Sequence, residues 1–134
     1  MNKDPDNVKI GKFGEDAAAK YLKKNKYRII ARNVHAGRSE IDIIASWKDT
    51  LVFAEVKTRT YEDSHLSFGR PADAVNKSKI TYLIRGADRF CIENGDKYAD
   101  HYKRFDIIEV YLEKEGRRLK VKDIRHFENA FGRN

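Results

Sequence analysis

Asp42 and the triplet Glu55-Val56-Lys57 are the residues whose types and spacing could do chemistry. Carboxylates brought close together repel and raise each other's pKa, and a divalent cation removes that cost. Mg2+ (or Mn2+) suits such a pair, because Mg2+ binds through one or two carboxylates and keeps its other positions for water and phosphate oxygens. A cation held there can polarise a phosphodiester and activate a water. A lysine beside it can orient or deprotonate that water and stabilise the developing charge. The bland alternative is a Glu–Lys pair at a solvated strand end, which is worth little.

The elements that must position these residues are strands. In EIDIIA, Glu40 and Asp42 fall on one face and Ile41 and Ile43 on the other. In LVFAEVK, Leu51, Phe53, Glu55 and Lys57 share one face, and Val52, Ala54 and Val56 share the other. Both faces are apolar before the charged end, which predicts an interior strand covered on both sides. With Trp47 to Thr50 as a hairpin loop, Ser46 opposes Leu51, Ile44 opposes Phe53, Asp42 opposes Glu55 and Glu40 opposes Lys57. A loop of odd length would turn Asp42 toward the core. The even register gathers Glu40, Asp42, Glu55 and Lys57 at one end of the sheet.

Around this hairpin the pattern is regular. Ile10, Phe13, Ala17 and Tyr21 recur at helical spacing from Val8 to Asn25, where Asn25 provides a left-handed cap. Tyr27 to Val34 reads as a strand, followed by a turn at His35 to Arg38. The site strands span Glu40 to Ser46 and Leu51 to Thr58. Residues 59–70 read as a mobile loop, and residues 1–7 as loose. A long helix follows from Ala72 to about Glu93, stopped by Asn94-Gly95. Arg104 to Glu113 and Leu119 to Phe127 are strands joined by the turn KEGR. The order α-β-β-β-α-β-β predicts one α/β domain over residues 1–134, with a mixed central sheet flanked by helices.

Composition sets the class of partner. The 134 residues carry a formal net charge of +7 with 37% charged side chains, which favours polyanions, nucleic acid first. Cys91 is the only cysteine, so an intrachain disulfide and a cysteine zinc site are excluded. His35, His65, His101 and His126 lack metal spacing. No Gly-rich phosphate loop follows a strand. Neither a signal peptide nor an apolar run long enough for a membrane span is present, so the expectation is a cytoplasmic protein without a membrane partner.

The acidic residue on one strand and Glu-x-Lys on the next resemble the PD-(D/E)XK nuclease superfamily, although Ile41 replaces the signature proline. GKFGEDAAAKYL, YRIIARN, SEIDIIA, LVFAEVKTR, FGRPADAV, RFDIIEV and HFENAF together resemble the YraN-like family of small bacterial proteins, over Gly11 to Phe131. That family is similar to archaeal Holliday-junction resolvases. The resemblance implies a restriction endonuclease-like core. It makes Asp42 and Glu55 metal ligands, with the Val56 carbonyl helping, and Lys57 the catalytic lysine. Glu15 matches the helix glutamate that completes the site in resolvase-like members. Glu40 is a motif residue beside the metal, where Ser39 stands in place of the family's usual glycine. Arg59, Lys79 and Arg104 match basic positions assigned to phosphate contacts or site support.

Three functions follow as expectations. The first is a Mg2+-dependent endonuclease acting on DNA, branched or otherwise structured. The second is a nuclease fold that binds nucleic acid without cutting it. The third is an interaction subunit of a DNA-processing machine. Two-fold symmetric junctions, the substrate of the resolvases, make a homodimer a further expectation. Arg104 could instead pair with Asp106, and Trp47 could be a packing lid or a stacking platform for a base.

Overall fold

The computed structural model describes residues 5–60 and 77–132. The elements are α1 (Pro5–Lys24), β1 (Arg28–Ala36), β2 (Ser39–Trp47), β3 (Thr50–Thr60), α2 (Lys77–Glu93), a short 3-10 turn (Gly95–Tyr98), β4 (Tyr102–Glu115) and β5 (Arg118–Phe131). The order α-β-β-β-α-β-β is as predicted. Among the described residues the strands form one sheet in the order β1-β2-β3-β4-β5. All neighbours are antiparallel except β3 and β4, which run parallel. A parallel pair needs a crossover, and α2 lies within it.

Each helix covers one face of the sheet. On one side Ala18, Ala19 and Leu22 of α1 pack with Ile43, Val52, Ala54, Ile108 and Val110. On the other, Leu83 and Ala87 of α2 pack with Ile44, Leu51, Phe53 and Ile107. Leu51 to Glu55 are all buried, as an interior strand covered on both sides requires.

Several boundaries differ from the sequence reading, each for a physical reason. Residues 5–7, expected to be loose, already belong to α1. The left-handed residue closing that helix is Lys26 (φ 73°), not Asn25. The amide of Tyr27 donates to the Leu22 carbonyl at 2.9 Å and that of Lys26 to Lys23 at 3.1 Å, a Schellman pattern. Asn25 instead donates its side-chain amide to the Tyr21 carbonyl at 2.8 Å. The β2–β3 connection is shorter than the expected Trp47–Thr50 loop, because Trp47 pairs with Thr50 and only Lys48 and Asp49 turn. Shortening by two residues preserves parity, so Ser46 still opposes Leu51 and Ile44 opposes Phe53. Arg59 and Thr60 belong to β3 rather than to a loop. The rest of the expected loop, and the start of the second helix at Ala72, lie outside the described residues.

One glycine sets the distance between α1 and β3. A Cβ built on Gly14 would lie 2.0 Å from Thr58 Oγ1, 2.6 Å from its Cγ2 and 2.8 Å from its Cβ. Rotating Thr58 cannot clear its own Cβ, so the helix would have to move. Gly14→Ala is expected to destabilise the fold by about 1–3 kcal/mol, the cost of overpacking. A urea midpoint lowered at unchanged slope would show it, and an unchanged midpoint would refute the close approach.

Candidate active site in the gap between β2 and β3

Hydrogen-bonded pairing of β2 with β3 runs from Trp47↔Thr50 to Ile43↔Ala54 and stops there. At the next position Asp42 does not continue the ladder. Its Oδ2 accepts the backbone N–H of Val56 at 2.8 Å, so a carboxylate takes the place of a carbonyl rung. Beyond it β2 stays paired only with β1, and Glu40 opposes His35. The expected pairings of Asp42 with Glu55 and of Glu40 with Lys57 are therefore corrected: the register holds as far as Ile43↔Ala54, and the strands part before reaching them. The expected shared face of Ile41 and Ile43 also fails, since Ile41 joins the cluster under α2 and Ile43 the cluster under α1.

Asp42, Glu55, Lys57 and Lys79 meet in this gap. Glu55 is 5% exposed, and its Oε1 receives Lys79 Nζ at 2.5 Å with Lys57 Nζ at 3.4 Å. The Asp42 carboxyl is pushed up to about 7, first by burial and then by the Glu55 charge; the Val56 N–H opposes the rise, Glu15 adds to it and Lys79 opposes it. This is the cost expected of a buried carboxylate with acidic neighbours. Glu15 projects from α1, one residue after the Gly14 contact that brings that helix onto β3. It accepts from Arg32 at 3.0 and 3.1 Å and from Asn33 at 2.8 Å. Arg32 and Asn33, which the sequence reading passed over, therefore orient it.

The remaining candidates fall elsewhere. Glu40 is exposed at the rim. Arg59 lies farther along β3, with Nε 3.7 Å from Glu109 Oε2. Arg104 belongs to the opposite, α1 side of the sheet. It is bound to Asp106 at 2.8 and 2.9 Å and to the Tyr27 hydroxyl at 2.6 Å. Trp47 stacks on Tyr27, with centroids 6.1 Å apart, so it packs as a lid.

Mg2+ fits the chemistry of the donors, two carboxylates and a strand carbonyl, all oxygen. Among the described residues no group of three or more His, Cys, Asp or Glu side chains is placed to hold a metal, so water or substrate oxygens would have to complete the shell. A stability test follows from Asp42. Its folded pKa lies above the ordinary 3.8, so its contribution to stability is present at low pH and lost as pH rises through about 7. Without metal, Asp42→Asn is expected to raise Tm near neutral pH and above, and to flatten the pH dependence, because Asn keeps an acceptor for Val56 N–H. Added Mg2+ should raise the Tm of the wild type and not of this variant. Equal Mg2+ shifts in both proteins would remove Asp42 from the metal site.

The fold and the gap define a class: a mixed α/β domain that holds a buried carboxylate pair with lysines where two central strands part. The sequence profile of Uncharacterised protein family UPF0102 matches residues 14–110, and the chain belongs to that family. Curated UPF0102 proteins resemble it over nearly their whole length. That of Alkaliphilus oremlandii is 43% identical over 93% of this chain and 99% of its own. That of Chloroherpeton thalassium is 39% identical over 93% and 95%. That of Flavobacterium psychrophilum is 42% identical over 91% and 92%. No helix among the described residues is long and apolar enough to cross a membrane.

Proposed function

We propose that the protein is a metal-dependent endonuclease that hydrolyses DNA phosphodiester bonds at branched or otherwise structured sites. The observation that carries this reading is the gathering of Asp42, Glu55 and Lys57 in the β2–β3 gap, on the pattern of the PD-(D/E)XK nucleases. The net charge of +7 supports a polyanionic partner. So does a hollow of about 400 Å3, lined by Lys9, Lys114, Arg117 and Arg118.

In the reaction a water adds to phosphorus, the ester bond to the leaving sugar breaks, and the leaving oxygen takes a proton. Asp42, Glu55 and the Val56 carbonyl would hold Mg2+, which would polarise the phosphate and acidify the attacking water. Lys57 donates to the phosphoryl oxygen on which charge grows. Lys79, now on Glu55, gives way as the phosphate enters and turns toward it. Glu15, fixed by Arg32 and Asn33, would complete the site from α1, where its charge acts on Asp42.

The runner-up is a fold that binds nucleic acid without cutting it. The Lys79–Glu55 pair favours it, because it already neutralises the carboxylate that a metal would need. The deciding experiment is cleavage of labelled duplex, single-strand, flap and four-way-junction DNA with Mg2+, Mn2+ or EDTA. Metal-dependent cutting lost in Glu55→Ala establishes the nuclease. Salt-sensitive binding of the same DNAs, unchanged in Glu55→Ala and with no cutting, establishes the binding module.

A further inference from the structure

A cavity of about 370 Å3 lies between the β1–β2 turn and the first described turn of α2. Asp42 and Lys79 line it, so it opens directly beside the carboxylate pair. Its volume is that of a small organic ligand rather than of a lone ion. Arg38, Ser39 and Glu40 form one wall, and Ser78 and Tyr82 the other.

Ser39 is 7% exposed, and its Oγ has no hydrogen-bond partner among the described residues. A buried hydroxyl without a partner calls for an explanation, and a ligand in the cavity it lines supplies one. Across the mouth, Arg38 Nη1 donates to the Tyr82 hydroxyl at 3.2 Å, and the guanidinium lies 5.8 Å from the centre of that ring. A cation and an aromatic face are thus held together at a cavity that Ser39 and Ser78 also line. Arginine and hydroxyls suit a phosphate, and an aromatic face suits a base. Glu40 and Asp42 weigh against a purely anionic ligand. Glu40, exposed at the rim, can accept from the N–H groups of a base or from a sugar hydroxyl. A nucleotide carries all of these groups; inorganic phosphate does not.

We infer that this cavity holds one unpaired nucleotide of the substrate strand, next to the bond to be cut. Its phosphate lies on Arg38, Ser39 and Ser78, and its base against Tyr82. This rests on the proposed function in one respect, that the strand passing the carboxylate pair is nucleic acid. It narrows the substrate class, because a base stacked and paired in duplex cannot enter such a cavity without being drawn out. Flaps, single strands and open branch points qualify, and closed duplex does not.

The test is titration of the 15N-labelled full chain in EDTA with a single-stranded deoxydinucleotide, with inorganic phosphate and with a short closed duplex. The expected result is saturable amide shifts at Arg38–Glu40 and Ser78–Leu83 with the dinucleotide. Binding should weaken by about tenfold or more in Arg38→Ala, and in Tyr82→Ala through lost stacking. Ser39→Ala, which removes an unpaired hydroxyl, should weaken binding while leaving the fold and the other amide shifts unchanged. Equal affinity for inorganic phosphate or for closed duplex at these amides overturns the inference. So do shifts confined to other surfaces, or wild-type binding by all three variants. Shifts in the cavity without cleavage of any DNA support the inference and count against the nuclease. Metal-dependent cleavage at wild-type rates in the three variants overturns the inference and leaves the nuclease standing.

Discussion

Lys57→Met is expected to lower the rate of DNA cleavage by about 10²–10³-fold, the loss seen when one preorganised donor to a developing oxyanion is removed. Methionine keeps the length and much of the apolar stem of lysine, so the change removes charge and donor rather than packing. The lysine side chain is 26% exposed, and its ammonium stands 3.4 Å from Glu55 Oε1. Glu55 retains Lys79 at 2.5 Å, so it is not left as a bare buried charge. The fold should therefore keep its urea midpoint, with DNA affinity in EDTA falling only by the share of one phosphate contact. Single-turnover cleavage with Mg2+ at saturating protein separates the two effects. A drop in rate with near-constant binding places Lys57 at the reacting phosphate. An unchanged rate sinks its catalytic role, and a loss confined to binding assigns it to the backbone.

How much of this site could be read from the sequence depends on which interactions are local. The alternation in LVFAEVK and the even parity of the β2–β3 turn are properties of short stretches, so the pairing of Ser46 with Leu51 and of Ile44 with Phe53 was legible, and it brings Asp42 within the influence of the Glu55 charge. The turn proved shorter than expected, yet parity survived because Trp47 and Thr50 simply add one more pair. The parting of the strands was not legible. It depends on the Asp42 side chain capturing the Val56 N–H, which competes with a backbone rung that no periodicity count distinguishes. Lys79 reaches Glu55 from a helix on one face, whereas Arg104 sits on the other. Both are basic residues of amphipathic segments, and only the β3–β4 register, Ala54↔Asp106 and Glu55↔Ile107, separates them. A parallel crossover leaves that register unspecified in the sequence. Arg32 and Tyr82 carried no local signal, because each acquires its meaning from an element distant in the chain.

The second large effect concerns that opposite face. Asp106→Asn is expected to destabilise the protein by about 3–5 kcal/mol, the cost of breaking a buried ion pair by removing one partner. Asp106 is fully buried. It binds Arg104 through both oxygens, His126 Nε2 at 2.6 Å and the Asn129 N–H at 3.0 Å. Arg104 also reaches the Tyr27 hydroxyl, and His126 Nδ1 lies 3.0 Å from that of Tyr21. The network thus ties β4 and β5 to the end of α1 and to the residue just before β1. Burial alone would raise the Asp106 pKa, but His126, Arg104 and the Asn129 amide outweigh it and hold the carboxyl below its ordinary 3.8. The stabilisation is therefore present above that ordinary value and disappears as pH falls through the lower folded value. The gap in urea midpoint between Asp106→Asn and wild type should be full near neutral pH and close in strong acid. Arg104→Met should lose a similar amount, since it leaves Asp106 without its bidentate partner. If Arg104 were a phosphate contact, Arg104→Met would instead keep the midpoint and lower the salt slope of DNA binding by about one ion. Comparing the midpoint of that variant with its salt slope decides whether the arginine holds the fold or the substrate.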